Sequence, residues 1–145
     1  MLEKDFTSIV THTIKTYGGW AYKIPDCGYD TKPFDITAIY KGQPLALELK
    51  WLTSPKAFNF TRLENHQIAN LLEAWRAGAW SALVIGVDYG RSDKRIFTFA
   101  NSQLPMIDMR KKEGLSLLKK EFNSLPYIPL KNRLFDLEKF LSVDK

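Results

Sequence analysis

The chain has 145 residues, of which 45% are hydrophobic and 13% aromatic, and carries a formal net charge of +5 with a pI near 9.3. That length and composition suit one domain with one core and exclude a disordered or low-complexity chain. The basic balance favours a polyanionic partner, nucleic acid first. Residues 2–17 read as a helix, because Leu2, Phe6, Ile9, Val10, Ile14 and Tyr17 recur at helical spacing and Gly18-Gly19 follow as a stop. Residues 20–24 (WAYKI) read as a strand and 25–33 (PDCGYDTKP) as a turn-rich loop. Two strands follow, at 35–40 and 44–51, and 52–60 reads as irregular.

A helix is expected from Thr61, with Thr61 as N-cap and Glu64 as its capping-box partner. Ile68, Leu71, Leu72 and Trp75 would form its buried stripe and Gly78 its end. The apolar run 81–89 is expected to be a central strand and 95–100 a further strand. In the tail, SQLPMIDMRKK reads as a short helix, LSLLKKEF is ambiguous, PYIPL is extended and NRLFDLEKFLSV is a final amphipathic helix. The order α-β-β-β-α-β-β describes an α/β fold with a mixed sheet flanked by helices.

The single cysteine, Cys27, excludes an internal disulfide, which fits a reducing compartment. No stretch approaches the ~20 apolar residues of a membrane span, and nothing at the N-terminus resembles a signal peptide. A soluble, cytoplasmic protein is expected. Two separated histidines, His12 and His66, and one cysteine do not make a zinc site. His66 reads as a helix-surface or capping residue and His12 as a solvated one.

The segment FDITAIYKGQPLALELKW, residues 34–51, places Asp35, Glu48 and Lys50 inside strands. Charge there is costly unless it faces water, finds a partner or has a task. In 45–51 the residues Leu45, Leu47, Leu49 and Trp51 face one way, and Ala46, Glu48 and Lys50 the other. A two-residue Lys41-Gly42 turn puts Asp35 opposite Glu48; a four-residue loop puts it opposite Lys50. Both registers gather the three groups on one face, whereas a three- or five-residue loop would separate them. Cross-strand Cβ atoms lie about 5 Å apart, so two carboxylates there suit Mg²⁺ with its retained waters. A nearby lysine would then orient water and stabilise charge on a phosphodiester. The competing interpretation is a solvated sheet face with an Asp/Glu/Lys cluster.

Asp35 followed by Glu48-Leu49-Lys50, with Pro33-Phe34-Asp35 at the Pro-Asp position, resembles the PD-(D/E)XK nuclease signature. YKGQPLALELKW together with FNFTRLENHQIANLLEAWRAGAWSALVIGV is similar to the RecU-type Holliday junction resolvases of Gram-positive bacteria and their phages, over about residues 34–87. The resemblance implies a restriction-endonuclease-like core forming a single nuclease domain over residues 1–145. It implies Asp35 and Glu48 as metal carboxylates, the Leu49 carbonyl as a further ligand, Lys50 at the nucleophilic water, and Gln67 reaching the site from its helix. Glu3 matches an acidic residue of the family's first helix. Two Mg²⁺ ions, or Mn²⁺ in their place, would serve hydrolysis. A C2 homodimer would make paired symmetric nicks in four-way DNA junctions.

Only residues 25–33 are available for the long stalk of RecU-type proteins, so a compact, phage-like or archaeal-type resolvase is the expectation. Lys32, Lys56 and Arg62 are candidate phosphate contacts, with RSDKR, Arg110-Lys111-Lys112 and Lys119-Lys120 as further basic groups. Trp51, Phe58 and Phe60 are candidates for base stacking, although core or dimer packing suits them better. The rival functions are a nuclease of the same fold acting on flaps, forks or duplex DNA, and a DNA-binding module without catalysis.

Overall fold

The computed structural model describes residues 1–26 and 32–143. Helix α1 spans Glu3–Thr16, with Glu3 and Asp5 in its first turn, where the helix dipole favours acids. It buries Phe6, Ile9, Val10 and Ile14, while Leu2 and Tyr17 at the ends of the stripe are exposed. Strands β1 (Trp20–Lys23), β2 (Ile36–Tyr40) and β3 (Gln43–Leu52) form an antiparallel meander. Phe58–Asn59 is a short strand, β4. Helix α2 (Asn65–Arg76) then crosses to β5 (Trp80–Asp88), which pairs parallel to β3. Strand β6 (Lys94–Ala100), helix α3 (Leu104–Lys112), strand β7 (Ser116–Leu117), helix α4 (Lys119–Ser124), strand β8 (Ile128–Leu130) and helix α5 (Leu137–Phe140) complete the chain.

The main sheet runs β1-β2-β3-β5-β6-β8 and is antiparallel except at β3–β5. The helices α1 and α5 pack on one face, together with Leu45, Leu47, Leu49 and Trp51. On the other face lie α2 and α3, with Phe58, Phe60 and Phe122. Strands β3 and β5 are therefore covered on both faces, which is why SALVIGV reads as an unbroken apolar run. The result is the expected α/β fold, a mixed and mostly antiparallel sheet between helical layers. Among the described residues no helix is long and apolar enough to cross a membrane.

The β2–β3 turn decides the placement of the charged residues. Lys41 and Gly42 both have positive φ, 48° and 77°. That is the signature of a two-residue turn whose twist matches its strands. The register is Tyr40↔Gln43 and Ile36↔Leu47. Extended by one residue, it sets Asp35 opposite Glu48. The two-residue loop is the one formed.

Three sequence expectations need correction. Helix α2 begins at Asn65 rather than Thr61. Phe58, Phe60 and Leu63 are all fully buried, and their spacing of two and then three does not suit an α-helix. Residues 60–62 instead make a 3₁₀ turn, with the Asn59 side chain accepting from the Thr61 N–H. The cap pair is Glu64 and Gln67, the Gln67 Oε1 accepting from the Glu64 N–H at 2.9 Å. The final helix is a single turn, Leu137–Phe140. Asn132 and Arg133 adopt positive φ in a turn closed by Lys131 and Leu134, and Asp136 caps the helix through the Lys139 N–H. The segment read as irregular, 52–60, contains β4, which pairs with β7. The expected loop 25–33, with Cys27, lies largely outside the described residues.

Glycine at position 86 reflects close packing rather than turn formation. Trp51 pairs with Gly86 across β3–β5, and its ring tilts against Phe6 of α1 at 5.2 Å. A Cβ at Gly86 would meet the Trp51 ring at 2.4 and 2.5 Å and Phe6 at 3.1 Å. Gly86→Ala is expected to destabilise the protein by about 1–3 kcal/mol through overpacking. Chemical denaturation measures this; an unchanged midpoint would show that the Trp51 ring has room to move.

Candidate active site

The site forms where β2 stops and β3 continues. Alternate residues of a strand turn their N–H and C=O to the same edge. Beyond Leu47, β3 therefore presents the Leu49 and Trp51 amides to an edge with no β2 backbone opposite. Two carboxylates meet them. Asp35 Oδ2 accepts the Leu49 N–H at 2.8 Å, and Glu3 Oε2 accepts the Trp51 N–H at 3.1 Å. The Leu49 carbonyl points to that same edge, between the two acids. Asp35 is itself anchored, its N–H donating to Leu47 O and its carbonyl accepting the Ile24 N–H.

Glu48 points to the opposite face of β3 from Leu47 and Leu49, beneath the start of α2. It is 1% exposed, so the solvated-face interpretation fails. Gln67 explains part of how a carboxylate survives there. Its Oε1 caps α2 while its Nε2 donates to Glu48 Oε2 at 2.9 Å. Lys50, two residues along on the same face, lies 3.6 Å from Glu48 Oε2. Glu48 Oε1 is buried with no donor. Burial, and then the charge of Asp35, push the Glu48 carboxyl up to about 8, against the opposing pull of Lys50.

Lys32 completes the cluster, 2.9 Å from Asp35 Oδ1 and 3.4 Å from Asp26. Burial pulls its ammonium down, but hydrogen bonding and charge from Asp35, with Asp26, outweigh this and leave its pKa above the ordinary lysine value. Arg62 lies 3.7 Å from Glu3 Oε2 and over the Phe58 ring. Glu3 therefore joins α1, β3 and the segment before α2 at the rim of the site.

The donor set fits a hard cation. Two carboxylates, one of them Glu48 with an unsatisfied oxygen, and one backbone carbonyl suit Mg²⁺, which takes one or two carboxylates and keeps water. Among the described residues no three or more of His, Cys, Asp and Glu gather at metal-holding spacing. Asp35, Glu48 and the Leu49 carbonyl would hold the ion.

Other candidates lie away from this cluster or are paired elsewhere. Lys56 is exposed and has no ion pair among the described residues. His66 Nδ1 lies 3.3 Å from Glu64 Oε2, at the start of α2. His12 contacts Thr16 on α1. Trp51, Phe58 and Phe60 are core residues. Arg95 forms a fork with Asp93 between the Tyr89 and Tyr127 rings, Arg110 pairs with Glu121 and Lys112 with Asp108. Arg95, Arg110 and Lys112 are thus engaged within the chain.

Fold and site together define an α/β chain with a buried carboxylate pair, a lysine and a glutamine gathered where a strand loses its neighbour. No protein-family model matches the chain, and no curated protein matches it. Among solved structures it is similar to Hjc of Archaeoglobus fulgidus, a Holliday junction resolvase from an archaeal hyperthermophile. The identity is 19% and the TM-score 0.47, over 71% of this chain and 92% of that one.

Proposed function

We propose that the protein is a Mg²⁺-dependent endonuclease of the PD-(D/E)XK class. The observation that carries this is Glu48, a carboxylate 1% exposed, with one oxygen held by Gln67 and the other lacking a donor, on the strand next to Asp35. Evolution of a purely structural core has no use for such a group, whose burial is costly unless it is compensated.

A bound Mg²⁺ would supply Lewis acidity to water and to the phosphate. Asp35 holds the negative charge that attracts the ion, and Glu48, whose carboxyl sits at about 8, would add its own on losing its proton when the ion binds. Gln67 fixes the Glu48 carboxylate in one orientation. Lys50 directs its ammonium to the same place, where it orients a water for in-line attack and offsets the charge that builds on the phosphate. Glu3 and Arg62 shape the rim, and Lys32 and Lys56 are proposed phosphate contacts. Lys32 would leave Asp35 for the phosphate once the cation neutralises that carboxylate.

The substrate is inferred to be branched DNA, with the four-way junction first, cut by a C2 homodimer in paired symmetric nicks. The support is the RecU-type composite over residues 34–87. The test is a cleavage panel in Mg²⁺ comparing a four-way junction, a flap, a fork and a matched duplex. Symmetric nicking of the junction alone is the expected result. Cutting of all four would leave the nuclease and remove the junction specificity. With no cutting and no Mg²⁺ binding by calorimetry, the protein would be a DNA-binding module.

A further inference from the structure

The catalytic face of the sheet extends beyond the carboxylates. Side chains at 35, 37 and 39 of the β2 segment share the face of Glu48, since Ile36 and Ala38 pack with α1 on the other side. Tyr22 lies opposite Thr37 and Trp20 opposite Ile39, so both β1 rings stand on that face too. Helix α2 roofs β3 and β5 there, yet Trp20, Tyr22 and Ile39 are 53%, 51% and 47% exposed. Water on two aromatic rings in an edge strand is a cost with no return inside the fold.

We infer that Trp20 and Tyr22 form a stacking platform for unpaired bases of the DNA substrate, continuous with the Asp35/Glu48 centre. This rests on the nuclease interpretation above. The rings are nearly parallel, 11° apart with centroids at 6.2 Å, so both offer faces to planar groups in one orientation. Asp35 to Thr37 is about 7 Å along the strand, and β1 lies about 5 Å further across. At about 3.4 Å per stacked nucleotide, Tyr22 would meet bases a few positions from the phosphate being cut beside the Asp35/Glu48 centre, and Trp20 those beyond. Base-on-ring stacking tolerates any sequence and needs bases free of a duplex, as a flap or fork provides and as a four-way junction provides where the pairs at its centre open.

A second copy of the chain is the poorer occupant. Three half-exposed side chains offer on the order of 300 Å², against the ~800 Å² per partner of a standard interface. The net charge of +5 also favours a polyanion over a like-charged copy.

The test uses branched DNA carrying 2-aminopurine at unpaired positions beside the branch, with Ca²⁺ replacing Mg²⁺ to prevent cutting. Wild-type protein is expected to quench the base analogue. Trp20→Ala and Tyr22→Ala are each expected to lose quenching and bind the branched DNA about 10-fold more weakly. Tyr22→Phe should bind as wild type does, and affinity for a matched duplex should change less than about 2-fold in every variant. Both positions are half exposed, and unchanged melting temperatures would confirm folding. Wild-type quenching and affinity in both alanine variants would overturn the platform while leaving the nuclease intact. So would variants that fall to monomers with DNA affinity per subunit unchanged, which would make the patch a copy interface. Wild-type protein that binds none of the DNAs would remove both interpretations.

Discussion

Lys50→Ala is expected to lower junction cleavage by about 10³-fold at pH 7.5, the scale of losing one preorganised charge in a dry site. The residue has two routes to that effect. It can act at the water and the phosphate, or it can act through Glu48. Lys50 opposes the burial and the Asp35 charge that raise the Glu48 carboxyl to about 8. Removing it lets the carboxyl rise further, so less of the site is ionised at pH 7.5 and metal binding weakens. The two routes separate at high pH. If Lys50→Ala regains most of its rate by pH 9.5, the lysine served mainly to deprotonate Glu48. If the deficit persists at saturating Mg²⁺, the lysine acts at the reacting groups, as proposed. Asp35→Asn is the companion variant. Its amide oxygen can still accept the Leu49 N–H, so the strand edge stays capped, but the carboxylate charge is gone. Cleavage should fall at least as far, with Mg²⁺ affinity falling alongside it. Wild-type activity in either variant would move the active centre elsewhere.

The hairpin was legible because its chemistry is local. Lys41-Gly42 admits a two- or a four-residue loop, both of which gather Asp35, Glu48 and Lys50 on one face, and the two-residue loop that forms sets Asp35 opposite Glu48. Strand β5 was legible because a strand covered on both faces has no polar alternation to hide it. The start of α2 was misread because Thr61 and Glu64 satisfy a capping pattern that Asn59, Phe58 and Phe60 override through burial. The cap that forms uses Gln67, and the same side chain holds Glu48; only the fold shows that one residue serves both ends. The last helix shrank because positive φ at Asn132 and Arg133 leaves no helical register before Asp136. The depth of Glu48 was not legible at all. Alternation put it on a face, but α2 decides that the face is dry. The exposure of Trp20 and Tyr22 is a property of the fold alone: β1 buries Ala21 and turns both rings to water, the inverse of what their side chains favour.

Glu48→Gln is expected to stabilise the metal-free protein at alkaline pH while abolishing cleavage. The Glu48 carboxyl sits at about 8 in the fold against 4.5 for the free group. Below pH 4.5 both states hold the proton. Between 4.5 and 8 the unfolded chain ionises while the folded chain keeps its proton, so wild-type stability falls as pH rises across that window. Above 8 the folded state carries the buried charge and the loss is complete, on the order of 5 kcal/mol. Glutamine has no charge to bury, and its amide can accept from Gln67 and donate towards Asp35. In EDTA, thermal melts of wild type should decline from pH 5 to pH 8.5, while Glu48→Gln stays level and finishes higher by on the order of 10 °C. Mg²⁺ should then raise wild type at pH 8.5, because an ion that binds only the folded, ionised site stabilises it by mass action, and should leave Glu48→Gln unchanged. Below pH 8 the same binding should release a proton, measurable as a buffer-dependent calorimetric heat. A wild-type melting temperature flat from pH 5 to 8.5 would mean that Glu48 is ionised with a partner already in place, and the argument for a waiting cation site would lose its central residue.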